Sequence, residues 1–184
     1  MKYPNLKIKF RDQILTFQFL GQFEIERNEQ GVPITYKRKN QEETSYLLSV
    51  RTEITKSGRP EVITKIPNHL YTKLKRKYYN TKNLADIWRS PGIYAFVSMK
   101  GNNIEYRYID RAGITIANRL RQYLAPGSKR MTTFYVNRLL FETLKNGDKV
   151  LIYFYPEPDT EKELQILLRP DWNREIPQNK KYKI

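Results

Sequence analysis

The chain contains no cysteine and a single histidine, His69, and these two shortages exclude much ordinary enzymatic chemistry. Without cysteine there is no disulfide framework, no thiolate metal site and no thiol nucleophile. With one imidazole, a Ser-His-Asp triad or a multi-histidine metal centre has almost nothing to be built from. Long apolar runs are missing too: nowhere do ~18 apolar residues follow one another, and the opening stretch MKYPNLKIKF holds no apolar signal core. A soluble, cytoplasmic protein with no membrane partner is expected. Acidic residues are scarce beside basic ones, 19 Asp and Glu against 34 Lys and Arg, for a formal net charge of +15. Basic residues are in excess in both halves of the chain, so the charge is not that of one detachable tail. Such a balance suits a polyanionic partner, nucleic acid first, although a solvated basic surface has the same composition. At 184 residues with 13% aromatic content, the chain has the means to fold around a real core.

Residues 6–50 read as β-rich. Leu15, Phe17 and Phe19 alternate with polar neighbours, as do Phe23 and Ile25, and Asn28 to Gly31 has the composition of a turn. Basic clusters sit in the intervening loops: Lys37, Arg38 and Lys39 in one, and Arg59 within Lys56–Pro60 in another. Pro67 opens a predicted helix with Leu70 and Leu74 on one face and Lys73, Arg76 and Lys77 elsewhere. A basic helix of this kind suits a DNA groove, or equally a solvated surface packed by its leucines. The composition places a boundary near Lys82–Arg89. It separates a basic, β-rich region with a basic helix, residues 1–88, from a second domain over residues 89–184.

That second domain starts with two strands, Ile93–Val97 and Ile104–Ile109, joined by the turn residues Lys100-Gly101-Asn102-Asn103. A helix follows in which Ile116, Leu120 and Leu124 recur at helical spacing, while Arg119 and Tyr123, four apart, share an adjoining face. Lys129 and Arg130 precede a second helix, Met131 to Asn146, capped by Gly147. Lys149 to Tyr155 is a near-continuous apolar strand, and TEKELQILLRPDWN closes the pattern with a third helix. Thr160-x-x-Glu163 has the form of a capping box, which occupies Glu163 structurally and leaves Glu161 free.

Gly92-Ile93-Tyr94, then Tyr108-Ile109, then Ile116-x-x-Arg119-Leu120-x-x-Tyr123, and finally Glu161-x-x-Leu164 with Pro170 and Asn173, stand in the order and near-spacing of four motifs. Together they resemble the GIY-YIG nuclease superfamily over Gly92 to Arg174. One added residue before the helix leaves Arg121 as a competing arginine, and Asp110 stands where the family has glycine. The resemblance implies an α+β domain whose small three-stranded antiparallel sheet is flanked by helices. It implies hydrolysis of phosphodiesters in double-stranded DNA with Mg²⁺, or another divalent ion such as Mn²⁺, held by Glu161. Tyr94 would serve as the base, with Arg111 easing its deprotonation. Arg119 would face the phosphate, Tyr108 and Tyr123 would orient water or a phosphate oxygen, and Asn173 would steady Glu161 or the helix end. DNA contacts are expected from Lys37, Arg38, Lys39, Arg59, Lys73, Arg76, Lys77, Lys129 and Arg130. The compact plan with a β-rich extension resembles type II restriction endonucleases of this superfamily, acting as a homodimer on a palindromic site. The alternatives are a small phage or mobile-element endonuclease of low specificity, or a nucleic-acid-binding protein that does not cut.

Overall fold

A computed structural model describes residues 3–36, 44–52, 61–63, 90–101, 103–124, 126 and 131–173. The boundary placed near residues 82–89, the basic helix after Pro67 and the nine basic residues expected to touch DNA all lie outside these.

The chain runs β1 (Leu6–Phe10), β2 (Gln13–Ile25), β3 (Thr35–Tyr36), β4 (Ser45–Tyr46), β5 (Leu48–Thr52), β6 (Glu61–Ile63), β7 (Gly92–Lys100), β8 (Asn103–Ala112), α1 (Ile116–Leu124), α2 (Met131–Lys145), β9 (Lys149–Tyr155) and α3 (Glu161–Leu168). It is an α+β fold in which, among the described residues, every strand pair is antiparallel. The main sheet has the order β6-β5-β2-β9-β7-β8, with β1 also paired to β2, and β3 and β4 form a separate ribbon.

The small sheet of three strands that was expected does not stand by itself: β9, β7 and β8 belong to a larger sheet. Val150 to Tyr155 is buried on both faces, and a strand of that kind needs both edges paired. β2 supplies the second edge, with Gln18 opposite Phe154 and Gln22 opposite Leu151. The sheet therefore continues from the amino-terminal strands into the carboxy-terminal ones.

Two layers cover the sheet. On one face Tyr94, Phe96, Ile152 and Phe154 pack against Ile116, Leu120 and Leu124 of α1 and Val136 and Leu140 of α2. On the other, Ile93, Ala95, Val97, Leu151 and Tyr153 meet Ile8, Phe10, Leu15 and Phe17 of the β1–β2 hairpin and Leu164 of α3. β2 serves both layers because its register slips between Phe19 and Gly21. One added residue changes which face the following side chains reach, so Leu15 and Phe17 lie on one side while Leu20 and Phe23 lie on the other.

Gly92 begins β7 where no side chain fits: a Cβ there would sit 2.3 Å from the Phe154 ring and 2.6 Å from the Tyr155 carbonyl oxygen. Gly101, at φ +61°, makes the tight turn into β8. The carboxy-terminal segment then lies along the open edge of β8. The Trp172 N–H donates to the Arg107 carbonyl at 2.7 Å, and Asn173 takes both backbone groups of Ile109, at 2.9 and 2.7 Å. Among the described residues no helix is long and apolar enough to cross a membrane.

Candidate functional site

β7 and β8 are in register with Tyr94 opposite Asp110 and Phe96 opposite Tyr108, which brings Tyr94, Tyr108 and Asp110 to the face covered by α1. Arg119 and Tyr123, one helical turn apart on α1, descend onto them, with the guanidinium 5.3 Å from the Tyr123 ring centre. Asn137 of α2 fixes the end of α1: its Nδ2 donates to the Tyr123 carbonyl at 2.6 Å and the Tyr46 carbonyl at 2.9 Å.

The five polar groups form one network. The Tyr94 hydroxyl donates to Asp110 Oδ2 at 2.9 Å, accepts from Arg119 Nε at 2.9 Å and is 2.7 Å from the Tyr123 hydroxyl. Tyr108 also donates to Asp110 Oδ2, at 3.0 Å, and accepts from Tyr123 at 3.2 Å. Arg119 Nη2 meets the same Oδ2 at 2.5 Å, and its Nη1 donates to Gln122 at 2.8 Å. Arg119 is thus the arginine at the network, whereas the competing Arg121 bonds Asn118 Oδ1.

The electrostatics follow from burial and from one anion beside one cation. Burial, then Tyr123 and Asp110, push the Tyr94 phenol well above its ordinary value against the opposing pull of Arg119. Tyr108 is pushed up by burial, Tyr123 and Asp110, and Tyr123 by burial and Asp110. Burial also works to raise Asp110, but Arg119, the Arg111 N–H and the Tyr94 hydroxyl outweigh it and hold the carboxyl below its usual value.

The chain matches no protein-family model, no curated protein and no solved structure.

Glu161, at the start of α3, lies beside this network. Its Oε1 accepts from Gln165 Nε2 at 3.0 Å, and Arg111 Nε is 3.9 Å from its Oε2. Burial and then Asp110 push the Glu161 carboxyl up, only partly offset by Arg111 and Gln165. Gln165 Nε2 also donates to the Ile109 carbonyl at 2.8 Å, the same oxygen that Asn173 Nδ2 reaches. Asn173 is therefore tied to Glu161 through the backbone of β8 and through Gln165. Among the described residues no three His, Asp or Glu side chains gather to hold a metal ion, and Asp110 and Glu161 are the carboxylates at the site. Hard carboxylate oxygens of this kind suit a Mg²⁺-like ion that keeps water in its remaining positions.

The capping box does not form. Thr160 makes no side-chain cap bond, because the 3₁₀ turn Pro158–Thr160 runs directly into α3 and the Thr160 hydroxyl donates to the Glu157 carbonyl at 3.3 Å. Glu163 instead faces Arg11 in the β1–β2 turn, at 3.4 Å. The two glutamates point to different surroundings, Glu161 beside the network and Glu163 toward Arg11.

A cleft of about 310 Å³ opens beside the network between the end of β8 and the start of α1. Arg111, Gly113, Thr115, Asn118, Arg119 and Gln122 line it. Two site residues have no clear signal in sequence. Gln165 is visible only as the i+4 neighbour of Glu161, and Asp110 only as a departure from the motif. The resemblance sets Arg111 beside Tyr94, yet the cation touching Tyr94 is Arg119, while Arg111 is half-exposed near Glu161.

Proposed function

We propose that Tyr94, Tyr108, Arg119, Tyr123 and Glu161 form the active site of a metal-dependent endonuclease that hydrolyses phosphodiesters of double-stranded DNA, of GIY-YIG type. The observation that carries this reading is the convergence of the first three motifs on one network, with Glu161 of the fourth beside it, at a cleft lined by two arginines. Hairpin register and helical spacing pair Tyr94 with Tyr108 and Arg119 with Tyr123, but nothing in local folding requires the two pairs to meet at their polar ends.

In-line attack by water on a phosphodiester loads charge onto the phosphate oxygens, and a preorganised cation there is worth several kcal/mol. Arg119 is suitably held to be that cation. Its Nε is fixed by Tyr94 and its Nη1 by Gln122, so Nη2 is presented in one direction. A phosphate oxygen arriving from the cleft takes up Nη2 in competition with Asp110. Glu161 and waters would hold Mg²⁺ or Mn²⁺, which when bound supplies charge neutralisation and a more acidic water. The resemblance gives the water's proton to Tyr94, whereas burial disfavours the phenolate. Tyr94→Phe separates these roles: a loss as large as that of Glu161→Gln assigns proton transfer to the phenol, and a small loss leaves Tyr94 as the group that fixes Arg119.

The basic amino-terminal region suits contact with duplex DNA, and with the resemblance to restriction-type members it favours an enzyme that acts as a homodimer on a palindromic site. The closure of the network, with Tyr94 fully buried, favours as a second reading a nucleic-acid-binding protein on the same scaffold that does not cut. Incubating supercoiled plasmid with the protein and Mg²⁺, with and without chelator, decides between them. Chelator-sensitive linearisation supports the nuclease, and an intact plasmid that is nevertheless bound supports the second reading.

A further inference from the structure

Asp110 occupies the position where the resemblance has glycine, and it is also where the hydrogen bonds of the site converge. Its Oδ2 accepts from Arg119 Nη2 at 2.5 Å, Tyr94 at 2.9 Å and Tyr108 at 3.0 Å, with Tyr123 at 3.4 Å, and its Oδ1 accepts from the Arg111 N–H at 2.7 Å. The backbone has no need of glycine here. β7 and β8 stay paired through Ile93 opposite Arg111 to Gly92 opposite Ala112, and Asp110 is not among the residues with positive φ.

The hydroxyl protons show what the carboxylate does. Each tyrosine has one proton to give. Tyr94 and Tyr108 both direct theirs to Asp110, and Tyr123, within 2.7 Å of Tyr94 and 3.2 Å of Tyr108, directs its own into the same ring. With glycine at 110, Tyr94, Tyr108 and Arg119 Nη2 would lose their common acceptor, and the guanidinium would be held only by Gln122 at Nη1 and by a Tyr94 hydroxyl that no longer has a fixed direction of its own. From the groups facing it, Tyr94 on β7, Tyr108 and Arg111 on β8, Arg119 and Tyr123 on α1 and Glu161 on α3, we propose that Asp110 is the positioning residue of the site. It gathers the hydroxyls and Arg119 Nη2 onto one oxygen, so that the cation faces the cleft in a single orientation and is handed to a substrate phosphate by exchange.

This inference rests on the nuclease reading for its substrate, but not for its geometry. The test uses Asp110→Asn, which keeps the shape and loses the charge, and Asp110→Gly, which restores the motif. Cleavage of supercoiled plasmid in Mg²⁺ should fall about a hundredfold in kcat, the scale of a misplaced catalytic group. Binding of a duplex in Ca²⁺ should hold or tighten, because the anionic competitor for Arg119 Nη2 is gone. In protein labelled with ¹³C at the tyrosine ζ carbon, the signals of Tyr94, Tyr108 and Tyr123 should move together in both variants. Wild-type kcat in Asp110→Gly, or a loss confined to KM, would overturn the proposal. If neither variant folds, the unaltered protein decides: slowly exchanging Tyr94 and Tyr108 hydroxyl protons support the role, and rapid exchange of both refutes it. An unaltered protein that cuts no DNA removes the nuclease reading, whereas one that cuts alongside a fully active Asp110→Gly removes only the positioning role.

Discussion

Removing the Arg119 side chain tests whether the network is a structural unit as well as a candidate active site. Arg119 and Asp110 are only 17% and 20% exposed, and their contact is 2.5 Å. Truncating one partner of a fully buried pair costs about 3–5 kcal/mol because the other charge is stranded. With about a fifth of each side chain still wet, Arg119→Ala should cost about 2–3 kcal/mol. For a chain of this size that is about 4–12 °C in Tm. Removing both charges in Arg119→Ala with Asp110→Ala should recover about 1–2 kcal/mol, as expected for residues in one network. The pH dependence has a definite sign. Asp110 is held below its ordinary value, so its contribution is present above about pH 4 and is lost as pH falls through the folded value. The gap between unaltered protein and Arg119→Ala should therefore close in acid. Urea denaturation of the four proteins, at neutral pH and in acid, measures all of this. Strictly additive losses, or a gap that widens in acid, would refute the picture of a paired, shielded ion couple.

Gly92→Ala forces a methyl group against the Phe154 ring and the Tyr155 carbonyl; calorimetry should show a loss of about 2–3 kcal/mol, at the upper end of overpacking costs, because one obstacle is backbone. Glu163→Gln, whose carboxylate faces an exposed cation in the β1–β2 turn, should keep both stability and DNA cleavage near wild type in parallel melting and plasmid assays. Replacing Lys37, Arg38 and Lys39 by alanine should flatten the dependence of log affinity on log salt by up to about one unit for each phosphate no longer neutralised, read by gel shift in Ca²⁺ over a salt series.

The elements nearest the site are legible because their signals are local. Ile116, Leu120 and Leu124 mark the buried face of α1, the apolar run at 150–155 marks a central strand, and Gly101 marks a turn requiring positive φ. The extent of the sheet is not legible, since pairing of β2 with β9 joins segments far apart in sequence. The slip at Leu20 further disguises β2 by moving its apolar residues from one face to the other. The capping box fails for a local reason, that a preceding 3₁₀ turn takes over the entry to α3. Asp110 shows a different limit. As a letter it is a mismatch to a motif, and only the register that sets it opposite Tyr94 shows that Arg119, Tyr94 and Tyr108 share its Oδ2.

The central claim is that Glu161 is there for catalysis and not for folding, and Glu161→Gln tests it most directly. Burial and Asp110 raise the Glu161 carboxyl, so its ionised form is a burden on the folded state at neutral pH, and glutamine can still accept from Gln165. Glu161→Gln should melt at or above the temperature of the unaltered protein and bind duplex DNA in Ca²⁺ as well or better. Its cleavage of supercoiled plasmid in Mg²⁺ should fall at least about a hundredfold. A variant that melts lower and still cuts at the unaltered rate would contradict it.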